Sequence, residues 1–393
     1  MSWPLVKLGT LCKVVRGSSP RPKGDPKYYG GNVPRLMVSD VTRDGKFVTP
    51  KIDFLTEAGA EKSRPMKKGD FIIAVSGQPG QALILAIDAC IHDGFAGLRE
   101  LDESKVNKDY LFHFMNATKE RFSASATGAI FKNLTTEQIR ELEIPLPPLN
   151  EQQRIAAILD KADCLSRKRQ QAIGLADDFL RSVFLDMFGD PVTNSKGWEV
   201  KPLKELTLKI GSGSTPRGGK EAYLDQGISL IRSLNVHDNK FVHKDLAFIS
   251  DVQADKLKNV VIEKDDLLLN ITGASVCRAT LVDNNILPAR VNQHVCIVRA
   301  KTEKVLPTFL ARLITSSSYK QKLMQIATAG GATREALTKQ QVESLDIIVP
   351  PLDVQDKFLS IVYRVEKMLK SSELQSQKPL FNSLSQKAFA GEL

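Results

Sequence analysis

Apolar residues recur at helical spacing from about residue 151 to residue 188. With Ile155 counted as a heptad a position, the a, d and e sites hold Ile155, Ile158, Leu159, Ala162, Leu165, Ala172, Ile173, Ala176, Phe179, Leu180, Val183 and Met187. Ser166, Arg169 and Asp186 interrupt that stripe, while Arg167, Lys168, Gln170, Gln171, Asp177 and Asp178 lie off it. Pro147 and Pro148 do not suit a helix interior and Asn150 is a good N-cap, so a helix is expected from about Glu151. Gly189 and Pro191 end it. At about 38 residues it would be about 57 Å long, more than one compact domain covers. It calls for a partner helix, and the same chain supplies one.

That partner follows Val349–Asp353. Shifting the sequence by 203 positions carries Leu134 to Leu337, Gln138 to Gln341, Ile144 to Ile347, Pro147 to Pro350 and Gln152 to Gln355. Upstream, a shift of 195 carries Trp3, Leu8, Leu11 and Val15 to Trp198, Leu203, Leu206 and Ile210. The chain is two copies of one plan, a globular part of about 150 residues followed by a long helix. The expected organisation is a first domain at residues 1–149, a long spacer helix at 150–190, a second domain at 191–351 and a second long helix at 352–393. Pro379 predicts a break in that last helix near Gln377, since proline costs about 3 kcal/mol inside a helix.

Within the copies, period-two and short apolar runs predict strands at Val33–Val38, Asp70–Val75, Ile228–Arg232, Asp266–Ile271 and Arg290–Arg299. Gln81–Ile87 reads as a hairpin partner. Helical patterns lie at Asp109–Phe122 and Pro307–Ile326, and Thr135–Leu142 reads as a capped turn. Strands and helices mix without regular βαβ alternation, which makes each copy α+β.

The 393 residues suit two domains plus helices. Hydrophobic content of 42% and charged content of 25% describe an ordinary globular chain. No apolar run approaches membrane-spanning length, and Met1–Pro4 is not a signal peptide, so a cytoplasmic protein is expected. The net charge of +10 points to a polyanionic partner. Five cysteines without CxxC spacing indicate reduced thiols and no zinc or disulfide framework.

Enzyme signals come close and fail. Gly213–Lys220 imitates a phosphate loop, but Gly219 stands where lysine is required. Pro147-Pro148 and Pro350-Pro351 resemble the proline pair of amino-methyltransferases, yet leucine follows each where an aromatic should stack on a flipped base. Asp88, Glu103 and Lys105 have the residue order of a metal-dependent nuclease and remain an alternative. No resident metal or cofactor is expected. What is left is a set of polar, cationic loops at matching places in both copies, made of the residue types that contact phosphates and base edges. In the first copy these are Arg16, Ser18, Ser19, Arg21 and Lys23, then Arg35, Ser76 and Gln78, then Lys132 and Asn133. In the second they are Ser214, Thr215, Arg217 and Lys220, then Arg232, Asn235 and Thr272, then Arg290, Gln293, Thr333 and Arg334.

The stretch Ile144–Leu159, the segment Phe188–Pro191, the counterpart Leu345–Leu352 and the Trp-x4-Leu-x2-Leu openings at Trp3 and Trp198 resemble the specificity subunit of Type I restriction–modification systems. The resemblance covers essentially the whole chain. It implies two target recognition domains, each reading half of a split DNA site, and two long helices forming an antiparallel, pseudo-two-fold coiled coil. It implies a chain without catalysis of its own that docks two adenine methyltransferase subunits, which hold S-adenosylmethionine. Separate translocase–nuclease (restriction) subunits, using ATP and Mg, would join through that complex. Gln152, Arg154, Phe184, Leu185 and Gln355 are the residues this assigns to docking, with Ala156 and Ala157 as further exposed apolar surface. The same residues also allow a specificity partner for a stand-alone methyltransferase, or a protein-only scaffold built on the coiled coil.

Overall fold

In a computed structural model, residues 3–41, 45–77, 79–125, 134–215, 221, 223–329, 335–371 and 377–393 are described. The chain divides into two compact units, residues 1–171 with 374–393, and residues 172–373.

The first unit runs β1 (Leu5–Lys7), β2 (Lys13–Arg16), β3 (Tyr29–Leu36), α1 (Val38–Val41), β4 (Phe47–Val48), β5 (Asp53–Leu55) and α2 (Glu57–Lys62). It continues through β6 (Arg64–Met66), β7 (Phe71–Ala74), β8 (Ala82–Leu85), β9 (Ala89–Ile91), β10 (Phe95–Arg99), α3 (Lys108–Ser125), α4 (Thr136–Arg140) and β11 (Glu143–Pro145). Two mixed sheets result, in the orders β2-β10-β7-β8-β4 and β5-β3-β9-β6, with β1 paired to β11. Strands β7 and β8 are buried along their whole length, which is why Phe71–Ala74 and Ala82–Leu85 read as unbroken apolar runs. Thr135 and Gln138 cap α4 reciprocally, as the spacing predicts.

The long helix α5 (Leu149–Phe188) has 40 residues, about 60 Å at helical rise. After it the second unit repeats the plan: β12 (Val200–Pro202), β13 (Thr207–Ser212), β14 (Ile228–Ile231), β15 (Val236–His237), β16 (Lys240–Phe241), β17 (Ala247–Ile249), α6 (Asp251–Asp255) and β18 (Leu267–Asn270). Then come β19 (Ala279–Leu281), β20 (Ala289–Val291), β21 (Val295–Ala300), α7 (Pro307–Ile314), α8 (Ser317–Thr328), α9 (Lys339–Glu343), β22 (Asp346–Ile348) and α10 (Leu352–Ser371). The sheets β13-β21-β18-β19 and β17-β14-β20 match the two of the first unit, and β12 pairs β22 as β1 pairs β11. Two expected elements are split. Arg290–Arg299 turns at Asn292–His294 between β20 and β21, and Pro307–Ile326 breaks between α7 and α8. The second break follows from Thr315 and Ser316, whose hydroxyls bond back to the carbonyls of Ala311 and Leu313.

The described part of α10 reaches Ser371, and α11 (Gln377–Ala390) carries Pro379 in its first turn, where a missing N–H costs nothing; residues 372–376, where the expected break would fall, lie outside the described residues. Among the described residues no helix is long and apolar enough to cross a membrane.

Each unit packs against one end of α5, the first together with α11 and the second together with α10. In the first, Ile155, Ala156 and Leu159 of α5 join a core that also holds Ala388, Phe381 and Phe389 of α11. The Phe389 ring meets Tyr110 and Phe114 of α3 edge-on, at 5.5 and 5.3 Å. In the second, Leu180, Phe184 and Phe188 at the end of α5 share a core with Phe309 of α7 and Phe358 of α10. Ala156 and Phe184 are therefore buried, not part of an exposed apolar face (4% and 2% exposed). Their stripe is wider than the a, d and e positions because α3 and α7 cover a second side of the helix.

Lys46 and His113 fasten α5 further. His113 Nε2 lies 2.9 Å from an Asp160 carboxylate oxygen, and Lys46 Nζ donates to Asp160 at 3.1 Å and pairs with Asp109 at 2.7 Å. Burial pushes the Asp160 carboxyl up, but the His113 and Lys46 hydrogen bonds outweigh it and hold it below the usual carboxylate range.

Candidate nucleic-acid interface

The loop after β2 and the turn after β9 form one edge of the first unit. Gly17 N–H donates to Phe95 O at 2.9 Å and Ser18 N–H to Ile91 O at 3.1 Å, so the loop is laid along the turn by backbone bonds. A Cβ on Gly17 would lie 1.9 Å from His92 O, and only glycine allows this approach. The second unit repeats it: Gly213 N–H donates to Asn292 O at 3.1 Å, and a Cβ there would lie 1.8 Å from Val291 O.

Side chains complete the edge. Arg16 is exposed but anchored, its Nη1 donating to Leu134 O at 3.2 Å. Ser18 Oγ donates to Lys62 O at 2.9 Å. Ser19 Oγ donates to Asp93 Oδ1 at 2.8 Å, and Arg21 reaches within 4.0 Å of the same carboxylate. Lys23 is exposed on the same loop. Burial pushes the Asp93 carboxyl up, but the Ser19 hydroxyl and its own N–H hold it below the usual range, so it stays an acceptor-only anion. Burial lowers His92, which suits a ring whose Nδ1 accepts the Gly94 N–H at 2.7 Å. In the second unit Ser214 is exposed, Thr215 Oγ1 donates to Gln293 Oε1, and Thr272 Oγ1 meets His294 Nδ1. Ser76, the counterpart of Thr272, is half-buried beside Gly94.

Of the residues assigned to DNA contact, Arg35 and Asn235 are buried, and Arg232 and Arg290 are half-buried with bonds inside the unit. Arg35 is 4% exposed, ion-paired to Asp53 and stacked over the Tyr29 ring at 4.9 Å. Asn235 is fully buried and spends its amide on Val242 O and Lys244 O. Arg290 is half-buried and donates to Ala254 O and Ala289 O, and Arg232 donates to Asp245 O while lying over the Tyr223 ring at 5.2 Å. An arginine next to a strand reads the same in sequence whether it points out or turns back along the sheet. Gln78, Lys132, Asn133, Arg217, Lys220, Thr333 and Arg334 lie outside the described residues.

Of the residues assigned to docking, Gln152 and Gln355 are fully buried and present nothing to a partner. Gln152 Oε1 accepts the Asn107 N–H at 2.8 Å, and its Nε2 donates to Lys105 O at 2.9 Å and Pro147 O at 2.7 Å. Gln355 repeats this with Leu306 N–H at 2.8 Å and Pro350 O at 2.8 Å. Phe184 is core. Arg154 is exposed, tied to Glu151 and to Leu393 O, and Leu185 is exposed.

Each residue of the nuclease alternative is paired with a neighbour of its own. Asp88 accepts from Lys67 Nζ and Lys68 N, Glu103 pairs with Lys108, and Lys105 pairs with Asp102. Among the described residues no group of three His, Cys, Asp or Glu side chains could hold a metal ion.

The sequence pattern does not single out Asp93, because its turn sits between two short buried strands. The repeat could have found it: a shift of 200 positions carries Asp93 to Gln293.

Known proteins share this plan. The chain is 23% identical to the specificity subunit of the Type I restriction enzyme MjaIX of Methanocaldococcus jannaschii, over 100% of this chain and 93% of that one. It is 22% identical to the EcoKI specificity subunit of Escherichia coli strain K12, over 100% of this chain and 89% of that one. In fold alone it resembles the crystal structure of the Type I restriction–modification S subunit from M. genitalium, with a TM-score of 0.60 at 16% identity, covering 99% of this chain and 96% of that one. The family model for the Type I restriction modification DNA specificity domain matches twice, at residues 2–174 and 195–378. The chain belongs to this family, the specificity subunits of Type I restriction–modification systems.

Proposed function

We propose that this chain reads a split site in duplex DNA, one half with each unit, on behalf of a Type I complex. The observation that carries this is the recurrence of one α+β unit on both sides of the 40-residue helix, each with the same glycine-seated polar loop. A single reading surface would need no duplicate, whereas a two-part site needs one surface per part and a rigid spacer. The net charge of +10 favours the phosphate backbone. Catalysis would belong to partners: two adenine methyltransferase subunits holding S-adenosylmethionine, and translocase–nuclease subunits using ATP and Mg, all in the cytoplasm. The exposed Leu175, Phe179 and Leu185 of α5 offer those methyltransferases apolar docking area.

Exchanging residues 1–149 for the first domain of another family member tests the division of labour. Mapping methylated adenines in cells carrying the hybrid should show one half of the motif replaced and the other half and the gap retained. A hybrid that altered both halves, or only the gap, would overturn the reading.

Lys23→Ala should weaken binding to all sequences alike and reduce the salt slope of log K by about one, as loss of a single phosphate contact does. A changed base preference at constant salt slope would place Lys23 on a base edge instead.

A further inference from the structure

Two three-residue turns occupy the same place in the two units, His92–Gly94 and Asn292–His294. In each, the first side chain accepts the N–H of the third residue, His92 Nδ1 from Gly94 at 2.7 Å and Asn292 Oδ1 from His294 at 3.0 Å. The flanking strands are buried. The middle residue is thereby fixed at the tip with its side chain in solvent, and it is Asp93 in one unit and Gln293 in the other. A hydroxyl from the glycine-seated loop holds each, Ser19 on Asp93 and Thr215 on Gln293. Such a clamp restricts a long polar side chain before any ligand arrives.

A carboxylate is misplaced on a surface that only grips phosphates, because it repels them. Its neighbour Arg21 stands 4.0 Å away with 76% of its side chain exposed, so that pair contributes little. On duplex DNA an acceptor-only group finds its partner in an exocyclic amino group, cytosine N4 or adenine N6, in the major groove. A glutamine amide adds a donor and matches adenine N6 and N7 together. Resting on the split-site reading above, we infer that Asp93 and Gln293 are the paired base-edge readers of the two units. Asp93 accepts from a cytosine or adenine amino group in the first half-site, and Gln293 pairs with an adenine in the second. Ser19 and Thr215 are positioning residues.

The test uses the chain assembled with its methyltransferase subunits and a library of randomised duplexes, with thermal melts to verify folding. Asp93→Asn, which adds a donor at an exposed site, should change relative affinity among bases roughly tenfold or more at one position of the first half and leave the second half alone. Which base loses favour tells cytosine from adenine. Gln293→Glu should do the reverse, acting at one position of the second half only. Ser19→Ala keeps the carboxylate and should keep the wild-type base preference with weaker discrimination. If Asp93→Asn and Gln293→Glu leave both halves of the wild-type motif unchanged, the assignment falls while the split-site reading stands. If Ser19→Ala reproduces the new preference of Asp93→Asn, the effect travels through loop shape and the assignment also falls. A wild-type complex with no two-part motif would overturn the functional reading itself, and this inference with it.

Discussion

Phe188→Ala is expected to cost the second unit about 3–5 kcal/mol, the range for removing a buried phenylalanine ring. Phe188 is fully buried, and its ring lies 4.7 Å from Phe309, 5.0 Å from Phe184 and 5.4 Å from Phe358. Those partners come from α7, α5 and α10, so the lost ring leaves a cavity shared by three helices that cannot all move in. Leu185→Ala, on the exposed side of the same turn (43% exposed), should change stability by no more than about 0.5 kcal/mol. Because a two-unit chain does not unfold in one step, the measurement is native-state hydrogen exchange resolved to peptides of α7 and α10. A cost below about 1 kcal/mol would mean that the end of α5 is not seated in this unit.

The contrast between Phe188 and Leu185 also shows what a linear pattern can and cannot carry. The heptad stripe reveals α5 because twelve apolar positions recur at one period, and its ends are marked by Pro147-Pro148 and Gly189. It does not reveal that Ala156 and Phe184, off that stripe, are core. Their burial depends on α3 and α7, which arrive from elsewhere in the chain. The duplicated architecture is legible for a different reason: two copies of one plan can be compared without knowing the fold at all.

Loop chemistry is legible only in part. Glycine, serine and threonine at Gly17–Ser19 and Gly213–Thr215 mark a turn in any reading. The need for glycine at Gly17 and Gly213 becomes visible only when the turns after β9 and β20 are placed against them. Arginines are the least readable. Arg16 and Arg21 are exposed, while Arg35 pairs with Asp53 from a neighbouring strand and Arg290 folds back onto a carbonyl. These partners lie 18 and 36 residues from the arginines they bind, so no local spacing announces them.

Gln152, in the stretch Ile144–Leu159, serves folding through three hydrogen bonds. Gln152→Ala should destabilise the first unit by about 3 kcal/mol or more, since it leaves Asn107 N–H, Lys105 O and Pro147 O without their partner in a site that is 0% exposed, each worth about 1–3 kcal/mol unsatisfied. Gln152→Glu should rescue little. It can still accept the Asn107 N–H, but its second oxygen would face two carbonyl oxygens that now receive no donor. Gln355→Ala should cost less, because one of its three bonds, Nε2 to Lys304 O, is already long at 3.5 Å. Both glutamines fasten the first turn of a long helix to the loop that leads into α3 or α7. Their loss should therefore raise exchange first at the Asn107 and Leu306 amides, with the rest of each unit following. Co-purification with methyltransferase subunits provides the opposing measurement. A Gln152→Ala chain as stable as wild type that nonetheless failed to capture its methyltransferase would return the residue to a docking role and contradict this account.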